Sequence, residues 1–172
     1  MWAMSNFANT YNACLSITLL PTYLSTMLHV PDQYIYKFFY QTIFALTPVG
    51  IFLLLKNFKL NTHLAFLAAF FYLCTPWFID PMVTLNRQEI GFFFFISLLL
   101  ILFDKDMTSR KRDFLFLLFT SSMVVSHYST TYISVLFFSS SYVFIKFFRT
   151  FDKGLFNNLF ETKITSLKLI YV

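Results

Sequence analysis

The chain is short of charge, glycine and cysteine. Only 12% of its 172 residues are charged, about half the share that a soluble domain normally carries. That excludes an ordinary water-facing surface. Its 3 glycines, against 26 phenylalanines, supply no phosphate-cradling Gly-rich loop, and no serine nucleophile elbow or paired-histidine metal motif occurs. The only cysteines, Cys14 and Cys74, have neither zinc-site nor redox spacing, and read as two small buried thiols. A secretory signal is missing as well. Residues 13–20 are apolar, but no basic region precedes them, Pro21 interrupts them and no small-residue cleavage site follows.

What is present is apolar residue: 58% of the chain, with mean hydropathy +0.65. The formal charge of +5 is no nucleic-acid signal, because the basic residues are not interleaved with readable polar ones. In a membrane protein such residues report orientation and contact with anionic lipid. Of the 13 Lys/Arg residues, all but Lys37 and Arg87 fall in polar gaps or in the C-terminal tail, on one side of a membrane if the apolar stretches alternate as spans.

The first span is expected from Tyr34 to Leu55, with Asp32 and Gln33 starting it. Tyr34, Tyr36 and Tyr40 form an aromatic belt, Lys37 snorkels, Lys56 and Lys59 follow the far end, and Pro48 and Gly50 kink it. The second span, about His63 to Ile79, stops at Thr75-Pro76. A third starts at Asp80-Pro81, with Asp80 as N-cap and Pro81 at the first helical position, and ends in the charged loop Asp104–Asp113. The apolar stretch Phe114 to Ile145 would be ~48 Å long as one helix. The hexamer Ser126-His127-Tyr128-Ser129-Thr130-Thr131 lies at its middle. One helix would place Lys146, Arg149 and Lys153 opposite Arg110, Lys111 and Arg112, against the positive-inside tendency, whereas two short spans return both groups to the cytoplasm.

The expected fold is therefore all-α: a polytopic transmembrane helix bundle of about five spans, N-terminus outside, C-terminus cytoplasmic, in the cell membrane. It reads as one transmembrane domain over 1–172. Residues 1–33 form an outer-face juxtamembrane segment (13–28 amphipathic or re-entrant, broken at Pro21), 34–145 the five-span core, and 146–172 an interfacial tail on the cytoplasmic side. An N-terminus outside, with no span or signal before it, is expected of a chain whose upstream part is missing.

Ionisable groups at membrane depth are costly unless paired or hydrated. Arg87, about seven residues into the helix expected from Asp80, would join helix N–H groups in an anion site suited to phosphate, or else snorkel or pair with Glu89. Asp80 is a helix cap, or a general acid/base and metal ligand. Glu89 would lie two turns inside a span without an obvious structural job. His127 either hydrogen-bonds a substrate hydroxyl or phosphate or is satisfied by its own Ser and Thr neighbours, and Tyr128 and Tyr132 anchor the interface. No metal or cofactor is expected.

The succession "ITLLPTYLSTML", "YKFFYQTIFALTPVGIFLLLK", "HLAFLAAFFYLCTPWFIDPMVTLNRQEIGFFFF" and "SSMVVSHYSTTYISVLF" resembles the GT-C superfamily of membrane glycosyltransferases. Within it, "LNRQEI" and "VSHYSTTYI" are similar to an archaeal family of multispan membrane proteins of unknown function. The resemblance implies transfer of a sugar from a polyprenyl-phosphate donor outside the membrane, with Arg87 near the lipid phosphate and His127 and Tyr128 at the tip bordering the substrate cavity. It also implies a general-base carboxylate in a first outer loop, upstream of Met1, without which the chain would be inactive alone. A transporter or a non-catalytic membrane scaffold are the alternatives, although the chain shows no inverted repeat.

Overall fold

A computed structural model describes the backbone of residues 14–84 and 86–151, and their side chains apart from 81–87 and 148–151. Every regular element among the described residues is helical: α1 (Leu15–Leu28), α2 (Asp32–Asn57), α3 (Thr62–Leu73), α4 (Pro76–Thr84), α5 (Asn86–Phe103), α6 (Ser109–Ser126) and α7 (Tyr128–Phe151). The chain divides into two units, Met1–Thr131 and Tyr132–Val172. The described part of the second is helical and carries exposed Ile133, Leu136, Val143 and Phe144.

α1 is continuous through Pro21 rather than broken there. Proline removes one ladder hydrogen bond, and here the carbonyl it leaves open, that of Ile17, accepts from the Tyr36 hydroxyl at 2.7 Å instead. A neighbouring helix thus repairs the ladder, which is why the proline is tolerated.

α2 matches the expected first span within a few residues at each end. A π-turn, Ile35–Phe39, widens it near its start, and its ladder is irregular at Ala45, three residues before Pro48. The tyrosine belt is only partly realised: Tyr34 is exposed and Tyr36 half-buried, while Tyr40 is fully buried. α2 ends at a left-handed residue, Lys59 (φ 62°). Two backbone bonds close it, Lys59 N–H to the Lys56 carbonyl at 2.9 Å and Leu60 N–H to the Leu55 carbonyl at 3.2 Å. This is the Schellman pattern, in which glycine usually holds the left-handed position.

α3 starts where the Asn61 side chain accepts from His63 N–H at 3.0 Å and stops before Thr75-Pro76, as expected. Its small residues Ala65 and Ala69 point inward, while Leu64, Phe66, Leu67, Phe70 and Phe71 point out. The later boundaries differ from expectation. Pro76, not Pro81, opens a helix, so Asp80 is exposed within α4 and does not cap. The charged segment after α5 is shorter than expected, because α6 begins at Ser109. Cys74 is exposed, unlike Cys14.

Among the described residues α2 alone is long and apolar enough to cross a membrane; α1, α3 and the apolar part of α5 are shorter. Only 28% of the apolar stretch of α2 is buried, whereas the core helix of a soluble protein would be mostly enclosed. The interior lies instead where α2 meets α5: Phe44 stacks on Phe78 at 4.8 Å and lies 6.3 Å from Phe92, and Ile35, Tyr40 and Ile90 form a buried cluster. Gly50 permits this approach, since a Cβ there would stand 2.8 Å from Ile96 Cγ1.

Candidate functional site

The apolar run from Phe114 to Ile145 breaks into two helices at a single residue. His127 is extended (φ −153°, ψ 105°) and serves both. Its N–H donates to the Met123 carbonyl at 3.0 Å, ending α6. Its Nδ1 accepts from Thr130 N–H at 3.3 Å and lies 2.6 Å from Thr130 Oγ1, and its carbonyl accepts from Thr131, starting α7. The imidazole therefore does the work of an N-cap side chain. A backbone N–H only donates, so Nδ1 is an acceptor, and the neutral ring carries its proton on Nε2. The reading of a histidine satisfied by its own Thr neighbours holds for Nδ1, and any ligand contact from the ring falls to Nε2.

The break leaves the last carbonyls of α6 without intrahelical donors. One of them, Ser126 O, accepts from Ser16 Oγ of α1 at 2.8 Å, and the Ser16 carbonyl accepts from the Tyr40 hydroxyl of α2. α5 closes against the same junction at Gly91, where an added Cβ would stand 3.1 Å from His127 Cβ and 3.2 Å from Thr130 Oγ1. Ser16, Tyr40, Ser126, His127 and Thr130 are all buried. Helices α1, α2, α5, α6 and the start of α7 thus meet around a polar centre that no single stretch of sequence displays.

Glu89 lies on α5. Its side chain is 0% exposed, and among the described residues neither carboxylate oxygen has a hydrogen-bond partner. It lies within electrostatic range of the Tyr40 hydroxyl, and Ile90 beside it packs on Tyr40 and Ile35. Residues two apart on a helix project about 200° from each other, so Glu89 and Gly91 face different sides of α5. The carboxylate and the His127 junction therefore do not share one wall.

The remaining candidates are placed less centrally. Arg87 lies on α5, and its side chain is outside the described set. Asp80 and Tyr128 are exposed. Among the described residues no group of His, Cys, Asp and Glu could hold a metal. An open apolar groove of about 330 Å³ lies between the end of α1 and the π-turn of α2, lined among others by Leu28, Tyr34, Ile35, Phe38, Phe39 and Ile43.

Sequence reasoning missed Ser16, Tyr40 and Gly91. Tyr40 was masked by its two tyrosine neighbours. Ser16 sits in an apolar run where serine carries no signal, and Gly91 gave none beyond the rarity of glycine in the chain. Compared with family models, curated proteins and solved structures, the chain matches none of them.

Proposed function

We propose that the chain belongs to a multi-pass integral membrane protein of about five spans, N-terminus outside and C-terminus cytoplasmic, that takes a polyprenyl-phosphate-linked sugar at its outer face in the manner of GT-C glycosyltransferases. The membrane part of this reading is supported by what the helices turn outward. Phe71 is 73% exposed and Trp77 80%, while alanines fill the inner face of α3. Small residues inside and large apolar ones outside is the arrangement of helices packed in lipid.

The observation that carries the sugar-lipid reading is Glu89. A buried carboxylate with both oxygens unpartnered costs several kcal/mol, and intramembrane ionisable groups mark substrate paths. Among the described residues, nearby donors are already engaged: Tyr40 on Ser16, Ser16 on Ser126, and the Thr130 N–H on His127. Sugar hydroxyls are the donors that such an acceptor suits. Arg87 on α5 takes the phosphate, and the apolar groove between α1 and α2 takes part of the isoprenoid chain.

The test is binding by the full chain in proteoliposomes. Glu89→Gln is expected to weaken retention of a polyprenyl-phosphate sugar about tenfold while leaving unglycosylated polyprenyl phosphate unchanged, and Arg87→Ala to weaken both. Equal retention of the sugar lipid by Glu89→Gln refutes the reading. A transporter is the second reading, favoured by the break at Cys74-Thr75 between α3 and α4. Solute uptake by these proteoliposomes, with no sugar-lipid binding, would select it.

A further inference from the structure

The end of the molecule away from Tyr34 carries a second, unassigned surface. The rings of Phe58 and Phe103 pack at 4.8 Å, which brings the α2–α3 turn against the α5–α6 loop. Arg112, buried in the first turn of α6, fastens that loop by donating to the Asp104 and Met107 carbonyls at 2.5 and 3.2 Å. Two segments distant in sequence are thereby held side by side, with Lys56, Lys59, Lys105, Arg110 and Lys111 all exposed on them. Lys56 donates to Thr62 Oγ1. Lys59, Lys105, Arg110 and Lys111 have no ion pair among the described residues. The acidic residues of the loop do not neutralise them: Asp104 accepts from Asp106 N–H, Asp113 is half-buried, and only Asp106 is exposed.

Two local choices run against stability. Lys59 occupies the left-handed position (φ 62°) that glycine would hold at lower cost. Arg110, Lys111 and Arg112 crowd the first turn of α6, which has no acidic residue, where the helix dipole disfavours cations. Bordering these charges is an exposed apolar band, with Phe58 at 48%, Phe114 at 66% and Leu117 at 66% exposure. Cations that end an apolar band match a bilayer edge, with phosphate above and acyl chain below. A soluble anion would account for the charges but not for the band.

We infer that Lys59, Arg110 and Lys111 form a binding site for the headgroup of an anionic phospholipid, its acyl chains lying along Phe114 and Leu117. This rests on the membrane reading but not on the sugar-lipid one. The test is native mass spectrometry of the full chain from nanodiscs of phosphatidylcholine alone or mixed with phosphatidylglycerol. The unmodified chain is expected to retain phosphatidylglycerol preferentially. Lys59→Gly, Arg110→Gln and Lys111→Gln should each lower that preference about fivefold, with Lys37→Gln, at the other end of α2, leaving it unchanged. An unaltered preference in the triple variant, or an equal loss with Lys37→Gln, overturns the site. Protection of these residues by inorganic phosphate in lipid-free detergent would assign them to a soluble anion and overturn it too. A chain that enters neither kind of nanodisc would overturn the membrane reading itself. Lys59→Gly keeps the experiment interpretable, since glycine is expected to preserve or improve the turn.

Discussion

Tyr36 donates its hydroxyl to the carbonyl of Ile17 at 2.7 Å, the carbonyl that Pro21, four residues on, cannot serve. The proline and the tyrosine thus form one device: an α1 carbonyl opened by one residue and closed by a side chain of α2. Tyr36→Phe is expected to destabilise the fold by about 1–3 kcal/mol, the cost of a buried acceptor left alone. In a Pro21→Ala background, where the substituted residue has an N–H that can reach Ile17 O, the same change should cost about 1 kcal/mol less. Thermal unfolding of the four proteins in detergent checks this, and purely additive losses would show that the hydroxyl does not act through that carbonyl.

The two close glycine contacts predict different tolerances. Gly50→Ala sets a Cβ 2.8 Å from Ile96 Cγ1, a closeness that demands movement of a buried branched side chain, whereas Gly91→Ala meets atoms at 3.1 Å and beyond. Gly50→Ala should cost about 1–3 kcal/mol and recover when Ile96→Ala is added. Gly91→Ala should cost less, and should disturb the His127 junction rather than the α2–α5 contact. Unfolding midpoints, with the His127 ring resonances as a local reporter, distinguish the two sites.

Legibility in the sequence followed the physical range of each signal. The stops at Thr75-Pro76 and His127 were readable because proline and a polar hexamer act on their own backbone. The start at Asp80-Pro81 misled because an Asp-Pro pair suits an N-cap by itself, and only the earlier Pro76 shows that a helix is already under way. Pro21 misled for the opposite reason: its break is mended by Tyr36, from beyond the helix. The polar centre was half legible, since Glu89 and His127 stand out by type, whereas Ser16, Tyr40 and Gly91 acquire meaning only from helices that meet in space.

Glu89 predicts a trade of stability against binding. If its carboxylate is held for a ligand, the empty fold carries its burial as a cost. Glu89→Leu removes two unpartnered oxygens at similar volume, and is expected to stabilise the fold by about 1–3 kcal/mol. The same variant should lose the sugar lipid, while Glu89→Gln, still polar and buried, should bring little stability. A lower unfolding midpoint for Glu89→Leu would mean that the carboxylate is already satisfied in the fold.

The orientation of α6 yields the most direct check on the membrane reading. The helix runs 18 residues from Ser109 to Ser126, about 27 Å at 1.5 Å per residue, and its apolar part begins at Phe114, after the charged first turn. Ser109 is exposed at its basic end, and Ser129 is half-buried just past the His127 break. With exposed Cys74 replaced by serine and buried Cys14 retained, Ser109→Cys and Ser129→Cys can be labelled one at a time in intact cells with a membrane-impermeant maleimide. Ser129→Cys is expected to react from outside, and Ser109→Cys only after permeabilisation. Reaction of both from outside would deny that α6 spans, and the reverse pattern would invert the topology and move the polar centre to the cytoplasmic face.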